Sequence, residues 1–290
     1  DHISFTVAEG EIVGLLGPNG AGKTTTMQML LGLTSETSGT IRYFGREFPK
    51  QREYVLSKIN FASVYTQMQG KLTVFQNFRI FAGLYEVSDA QKRIYELLQL
   101  LEVEETIHTP FWQLSSGQKT RTILARALLN NPRLILMDEP TASLDPDIAH
   151  KVRELIQSLQ KKEKVTLLIT SHDMDEVEKL CDRVIFLDHG RIVAEDTPLG
   201  LTKQIEASTL TITFDGPQGP VSEFLKKKIH PYAFIRKQVV SITLPEHDIP
   251  KVLFGLSSEH IWMTDVDIQK PNLEDVFLSI AKGKYESKAH

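Results

Sequence analysis

The chain has 290 residues, a formal net charge of −4 and an ordinary globular composition, with 24% charged and 41% hydrophobic residues. This length accommodates one large domain and one small one, and the weak negative charge gives no general attraction to nucleic acid or to an acidic membrane surface. A single cysteine, Cys181, excludes an internal disulfide framework and a zinc ribbon, and no stretch approaches the roughly 18 apolar residues that a membrane-spanning helix requires.

The first residues alternate between apolar and polar side chains. Ile3, Phe5 and Val7 lie at every second position, which is the period of a strand with one buried face. We therefore expect one arm of an antiparallel strand pair here, with the other arm upstream of Asp1.

A glycine-rich stretch follows, between a predicted strand that ends at Leu16 and a predicted helix over residues 24–33. The stretch matches GxxxxGKS/T, the loop that cradles nucleotide phosphates. It consists of Gly17, Pro18, Asn19, Gly20, Ala21, Gly22, Lys23, Thr24 and Thr25. Its glycines would let backbone N–H groups converge on phosphate oxygens, while Lys23 would pair with the β and γ oxygens and Thr24 would place its hydroxyl on Mg²⁺. A chance glycine-rich turn is the alternative interpretation.

Apolar strands and amphipathic helices alternate as far as about residue 200, which predicts an α/β domain. Strands are expected at 40–44 and 59–64. From 75 to 101 the apolar residues recur at spacings of three and four, which predicts a helical lobe set into the α/β core.

Two further buried strands are predicted to end in polar residues at one edge of the sheet. The strand at 134–137 leads into Asp138 and Glu139, and the strand at 165–170 leads into Ser171, His172 and Asp173. Open α/β sheets bind their ligands at the carboxyl ends of their strands. A helix over 146–159 is predicted to be capped by Asp145, and strands 184–187 and 191–194 are expected to form a hairpin.

The character of the chain changes after about residue 206. Strands are predicted at 210–214, 233–236, 239–244 and 261–268, and helices at 221–229 and 249–256. The resulting β-α-β-β-α-β order is compatible with a small α+β, ferredoxin-like domain.

The order of the motifs carries a family resemblance. Leu114, Ser115, Ser116, Gly117 and Gln118 read LSSGQ, and a helix is expected over 119–129. With the phosphate loop, Gln67, the Asp138-Glu139 strand and His172, this closely resembles the nucleotide-binding subunit of ATP-binding cassette (ABC) transporters. Their signature is LSGGQ, so Ser116 stands where the family usually has Gly.

The resemblance implies a P-loop NTPase of the ABC ATPase type over residues 1–205, with an inserted helical subdomain at about 68–131, and a small C-terminal domain over 206–290. It implies ATP and Mg²⁺ as cofactors, with Thr24, Gln67 and Asp138 as metal ligands, directly or through water. Glu139 would polarise the attacking water, and His172 would contact the γ-phosphate.

The signature would act on ATP held by the phosphate loop of a second subunit, through Ser115, Ser116, Gly117 and Gln118. That subunit would be a copy of this chain or a homologous ATPase, and Asp145 would reach across the interface. The tail at 271–278, PNLEDVFL, resembles the ending of drug and lipid exporter ATPases of the daunorubicin-resistance type. That resemblance implies a separate transmembrane permease as partner and a location on the cytoplasmic face of the cell membrane, with no nucleic-acid partner. The rival classes are a soluble cassette ATPase that acts on ribosomes or DNA and an importer ATPase.

Overall fold

The computed structural model describes residues 1–63, 68–142, 144–205, 207–228 and 230–281. The chain divides into two compact units, Asp1–Pro198 and a second that begins at Leu199. In the described ranges, no helix combines the length and apolar character needed to cross a bilayer.

The first unit is built on a six-stranded sheet with the order β4-β5-β6-β1-β7-β8. Its strands, together with a separate β2-β3 hairpin, are β1 (Ile12–Leu16), β2 (Ile41–Tyr43), β3 (Arg46–Phe48), β4 (Ile59–Ser63), β5 (Leu134–Asp138), β6 (Thr166–Thr170), β7 (Arg183–Asp188) and β8 (Arg191–Asp196). All neighbours in this sheet are parallel except the β7-β8 hairpin. The central strands β1 and β6 are buried along their whole length, as expected for strands covered on both faces.

Helices cover the sheet and form the predicted lobe. They are α1 (Lys23–Leu30), α2 (Arg52–Lys58), α3 (Val74–Leu84), α4 (Ala90–Leu100), α5 (Ser116–Ala127), α6 (Pro146–Glu163) and α7 (Met174–Leu180), with single 3₁₀ turns at Glu104–Thr106 and Phe111–Gln113. A short helix, α8 (Pro198–Thr202), lies where the second unit begins. The apolar residues that predicted the lobe are its core, since Phe78, Ile94 and Leu98 are fully buried.

The expected strand at the amino terminus does not form. Residues 1–8 have no strand pairing, because no described segment offers them a ladder of backbone hydrogen bonds. Ile3, Phe5 and Val7 instead pack, partly buried, against the sheet core. The alternation therefore marked a buried face but not a strand.

The second unit has the predicted β-α-β-β-α-β order followed by one more helix. Its elements are β9 (Ala207–Asp215), α9 (Gln218–Lys228), β10 (Tyr232–Arg236), β11 (Val239–Pro245), a 3₁₀ turn at Glu246–Asp248, α10 (Ile249–Ser258), β12 (Trp262–Gln269) and α11 (Leu273–Ala281). The antiparallel sheet runs β10-β11-β9-β12. Leu210, Ile212, Leu225, Val240 and Leu256 are fully buried in its core.

Candidate nucleotide-binding site

The glycine-rich loop connects the carboxyl end of β1 to the start of α1, as the motif predicts. Gly17 has φ 150°, and a Cβ atom there would lie 2.1 Å from the carbonyl oxygen of Leu187. Gly22 is the residue before α1 and has φ 107°, a left-handed conformation that favours glycine. Two of the motif glycines are thus required by the path of the backbone, which leads from β1 into the amino-terminal, positive end of α1.

The ammonium group of Lys23 lies inside this loop. Its Nζ donates to the carbonyl oxygens of Gly17 at 2.6 Å and Pro18 at 3.2 Å. Burial lowers the pKa of Lys23, and the carboxylates of Glu139 and Asp138 oppose that shift. The cation of the loop is therefore electrostatically coupled to the two carboxylates at the carboxyl end of β5, those of Asp138 and Glu139.

Those carboxylates are held by the neighbouring strand β6. The Thr170 hydroxyl donates to Asp138 Oδ1 at 2.5 Å, and the Glu139 N–H donates to the Thr170 carbonyl oxygen at 3.0 Å. Glu139 has φ 54°, an uncommon conformation for a residue with a side chain. Strained backbone of this kind is concentrated at functional sites, where the surrounding structure maintains it.

His172 and Glu139 form the contact at the centre of the site. Nδ1 of His172 is hydrogen-bonded to Oε2 of Glu139. The Glu139 side chain is 19% exposed and the His172 side chain 69% exposed, so the pair opens to solvent. A carboxylate paired with an imidazole can hold a water molecule and exchange a proton with it.

The signature stretch forms the amino terminus of α5. Ser115 is the N-cap, and its hydroxyl accepts from the Gln118 N–H at 3.3 Å, while Gln118 Oε1 accepts from the Ser115 N–H at 3.1 Å. This reciprocal capping box starts the helix at Ser116, three residues before the position predicted from the sequence. Ser115 and Ser116 are exposed, whereas Gly117 is buried against Ile148, whose Cγ2 would lie 3.1 Å from an added Cβ.

Asp145 occupies the N-cap position of α6, but the predicted cap is not made. Its side chain is exposed and accepts no hydrogen bond from the first turn. Pro146 at the first helical position fixes the start of the helix instead, since its φ is already helical.

The structure therefore brings together the loop from Gly17 to Thr25, Asp138, Glu139 and His172. In the described part of the chain, no hydrogen bond or ion pair joins this group to Ser115, Ser116, Gly117 or Gln118. Gln67 lies outside the described residues.

The oxygen groups near the loop suit a hard divalent cation. Thr24 is exposed in the first turn of α1, and Asp138 lies at the end of β5. Among the described residues, His, Cys, Asp and Glu side chains form no cluster of three or more that could hold a metal alone. A cation here would thus need phosphate oxygens and water in addition, which is the coordination that Mg²⁺ prefers.

Three buried residues beside the site, Glu176, Thr141 and Ser171, form a hydrogen-bonded group that the sequence did not predict. Glu176 accepts hydrogen bonds from the hydroxyls of Thr141 and Ser171. A glutamate three residues after the cap Asp173 is ordinary for the first turn of a helix, so the local pattern gives no sign that it is buried.

Comparison with known proteins agrees with the geometry. A family profile described as "ABC transporter" matches residues 1–142. The Nod factor export ATP-binding protein I of Rhizobium johnstonii is 34% identical over 288 residues, which is 99% of this chain and 91% of that protein.

Two solved structures show the same fold. The structure of cbiO1 from Clostridium perfringens, part of the ABC transporter complex cbiONQ, has a TM-score of 0.64 at 28% identity and covers 69% of this chain and 82% of its own. A dimeric ATP-binding cassette in a post-hydrolysis state, bound to ADP and Pi, has a TM-score of 0.58 at 27% identity and covers 67% of this chain and 88% of its own.

Proposed function

Because this chain belongs to the ABC transporter family and is one of its ATP-binding, ATP-hydrolysing subunits, we propose that two subunits enclose ATP between them and that its hydrolysis drives a separate permease for export. The observation that carries this proposal is the meeting of Lys23, Asp138, Glu139 and His172 at the carboxyl edge of β1, β5 and β6. Each of these side chains has a task in phosphoryl transfer, where the protein mainly positions groups and balances charge.

The phosphate loop binds the triphosphate. Lys23 exchanges the carbonyl oxygens of Gly17 and Pro18 for the β and γ oxygens, and the N–H groups at the start of α1 take the remaining charge. Glu139 accepts a hydrogen bond from the attacking water and polarises it. His172, bonded to Glu139, holds that carboxylate in place and contacts the γ-phosphate.

Thr24, Gln67 and Asp138 would hold Mg²⁺, directly or through water, and the bound ion would neutralise charge on the phosphate oxygens. On the protein side, the bond from the Thr170 hydroxyl keeps Asp138 oriented from β6.

The second subunit supplies the other half of each site. Ser115 and Ser116 are exposed at the amino terminus of α5, where backbone N–H groups and the helix dipole favour an anion. The proposal places them, with Gly117 and Gln118, on the ATP of the partner, and Asp145 at the same interface. Its support is the exposure of Ser115, Ser116 and Asp145 and the separation of the signature from the phosphate loop in the described contacts.

Export is supported by likeness to a named exporter subunit, whereas the daunorubicin-resistance type is proposed from the resemblance of the tail alone. The relative from Rhizobium johnstonii is named for Nod factor export and covers 99% of this chain, including the second unit. The tail residues that resemble those exporters form α11, with Leu273 and Val276 fully buried. We assign the ATPase to residues 1–205, with its helical subdomain at 68–131, and a separate domain to 206–290. The subunit lies on the cytoplasmic face of the membrane, against its permease.

Glu139→Gln tests the shared site. The amide cannot act as a base, so ATP should bind with unchanged affinity, hydrolysis should fall by about 100-fold or more, and a dimer should persist in saturating ATP and Mg²⁺ on size exclusion. Lys23→Ala is the control, since it should remove nucleotide binding and leave a monomer under the same conditions. A Glu139→Gln protein that stays monomeric in saturating ATP would contradict the two-subunit site.

Membrane association tests the partner. The subunit should sediment with membranes when its permease is co-expressed and remain in the supernatant otherwise. Sedimentation with ribosomes instead would favour the soluble ATPase class.

A further inference from the structure

A buried carboxylate lies behind the Glu139–His172 pair. Glu176 is on α7 and only 1% exposed. Its Oε1 accepts from the Thr141 hydroxyl at 2.6 Å and its Oε2 from the Ser171 hydroxyl at 2.5 Å. Thr141 and Ser171 are themselves 7% and 1% exposed. A carboxylate in such a position is costly unless hydrogen bonds satisfy it, and here both oxygens are bonded.

The two hydroxyls belong to the two loops that carry the reacting side chains. Thr141 lies two residues after Glu139, and Ser171 lies immediately before His172. The Ser171 oxygen also accepts from the Asp173 N–H at 3.1 Å, which directs its own proton toward Glu176. One buried carboxylate thus connects the loop after β5 to the loop after β6.

The other connections lie at the strand ends and the first loop residue. Thr170, the last residue of β6, bonds to Asp138, the last residue of β5, and accepts from the backbone N–H of Glu139, the first residue after it. Beyond that point, the described hydrogen bonds that fix the loops to each other are those of Glu176 and the His172–Glu139 contact itself. Loss of Glu176 would therefore release the hydroxyls of Thr141 and Ser171, which lie in the same two loops as the catalytic pair, while the strands stayed in register.

We propose that Glu176 is a positioning residue for ATP hydrolysis, which clamps the two loops so that Glu139 and His172 meet in the geometry that holds the attacking water. This inference rests on the proposed function. Glu176 is only 1% exposed, so its effect passes through His172 and Glu139 and falls on the chemical step. The phosphate loop, which binds ATP, is unaffected.

The test compares Glu176→Ala with Glu176→Gln. Alanine removes both acceptors, and kcat should fall by about 10- to 100-fold with KM for ATP changed by less than about threefold, because small misplacements of catalytic groups carry penalties of this size. Glutamine can accept from one hydroxyl and donate to the other, so kcat should return to within about threefold of wild type. Thr141→Val and Ser171→Ala each remove one of the two hydrogen bonds, so their kcat values should lie between those of Glu176→Ala and Glu176→Gln. These two variants replace Glu176→Ala in the test if that protein does not fold.

A double-mutant cycle separates positioning from a general structural role. If Glu176 acts through His172, then His172→Ala should reduce kcat in the wild-type background but have little further effect in Glu176→Ala. Additive losses, or a loss confined to ATP affinity, would overturn the inference. So would a wild-type kcat in Glu176→Ala.

The failure of this inference is distinguishable from failure of the proposed function. Glu139→Gln is measured beside the Glu176 variants. If Glu139→Gln hydrolyses ATP at the wild-type rate, the proposed function fails. If Glu139→Gln is inactive while Glu176→Ala is fully active, only the positioning role of Glu176 fails.

Discussion

A methyl group at position 17 would lie 2.1 Å from the Leu187 carbonyl oxygen, closer than any packed Cβ atom approaches. Gly17→Ala should therefore displace the phosphate loop from β7, because the neighbouring atom is backbone and cannot rotate away. We expect a loss of about 1–3 kcal/mol in the free energy of unfolding and a loss of ATP binding. Urea denaturation and titration with a fluorescent ATP analogue measure the two effects.

Gly20 in the same loop is the matched control. It has φ 84°, but an added Cβ would find nothing within 4 Å. Gly20→Ala should therefore show only the conformational penalty of a left-handed alanine, about 1 kcal/mol. Equal effects of the two substitutions would show that the contact with Leu187 is not what requires glycine at position 17.

The buried Glu176 makes stability depend on pH in a definite direction. Burial raises its pKa above the ordinary value of 4.5, although the bonds from Ser171 and Thr141 oppose the shift, as does the charge of Arg153, while Asp173 adds to it. The folded protein thus holds the proton more tightly than the unfolded chain. The contribution of this proton to stability is complete below pH 4.5 and is lost as pH rises through the raised pKa.

Glu176→Gln removes this titration. The free energy of unfolding of the wild type, minus that of the variant, should be largest near pH 4 and decline toward neutral pH. Urea denaturation of both proteins at several pH values between 4 and 8 measures the difference. A difference that grows with pH would mean that the hydrogen bonds outweigh burial and that the pKa is lowered.

At the scale of elements, α5 closes the open edge of the sheet. β4 is an edge strand, and its outward carbonyl at Phe61 accepts from the Arg126 guanidinium at 2.6 Å. Arg126 is 5% exposed and lies over the Phe81 ring of α3, with its Cζ 4.9 Å from the ring centroid. A single side chain therefore connects the helical lobe to the sheet and satisfies a strand edge that would otherwise be unpaired.

Arg126→Met should test this connection. Methionine fills much of the space but has no donor, so the Phe61 carbonyl loses its partner and the ring loses its cation. We expect the free energy of unfolding to fall by about 2–4 kcal/mol, measured by denaturation. Arg121→Met on the same helix is the control. Its partner Glu102 is 85% exposed at 3.5 Å, so the change should stay below about 1 kcal/mol.

The helices and strands show which features can be predicted from the residue pattern of a short segment. The buried runs that became β5 and β6, and the three- and four-residue spacing that became α3 and α4, were predicted correctly because one short segment contains the whole signal. The start of α5 was misplaced because the Ser115–Gln118 box was not used, although the sequence shows it. The strand at residues 3–7 failed for a different reason, since a strand depends on a neighbour that its own residues do not specify.

The meeting of Asp138, Glu139 and His172 at one edge of the sheet was also predictable, because the carboxyl ends of parallel strands share one side. What the sequence could not reveal is the buried hydrogen-bonded group that lies beneath this edge. Glu176, Thr141 and Ser171 are polar residues of types that usually lie at the surface, and their meeting depends on how α7 packs against the loop after β5. Likewise, nothing local to Gly117 indicates that Ile148 fills the space where its side chain would be.

At the scale of the whole molecule, the proposed function makes each active site the property of two chains. Half of the site is the loop from Gly17 to Thr25, and the other half is the exposed end of α5. In a two-fold dimer each subunit gives one half to each site, so the two sites are equivalent in a homodimer. Variants with defects in different halves should therefore complement each other.

Two variants suit this test. Lys23→Ala disables the phosphate loop. Ser116→Glu places a negative charge where the partner's triphosphate binds, and Ser116 is exposed at the first position of a helix, where an acidic residue does not harm folding. Each variant alone should lose ATP hydrolysis, while Ser116→Gln, of similar size but uncharged, should lose much less.

Mixing the two inactive proteins should restore hydrolysis. Only a dimer with one chain of each kind has a site that combines an intact phosphate loop with an intact signature. The other site of that dimer carries both defects, so hydrolysis should rise clearly above that of either variant alone but stay at or below about half of the wild-type activity. The double variant carries both changes in one chain. When it is mixed with wild type, both sites of every mixed dimer are damaged. It should therefore lower ATP hydrolysis by more than simple dilution of the wild type would. If each chain contained a complete site, the mixture of single variants would remain inactive, and the double variant would act only as a diluent.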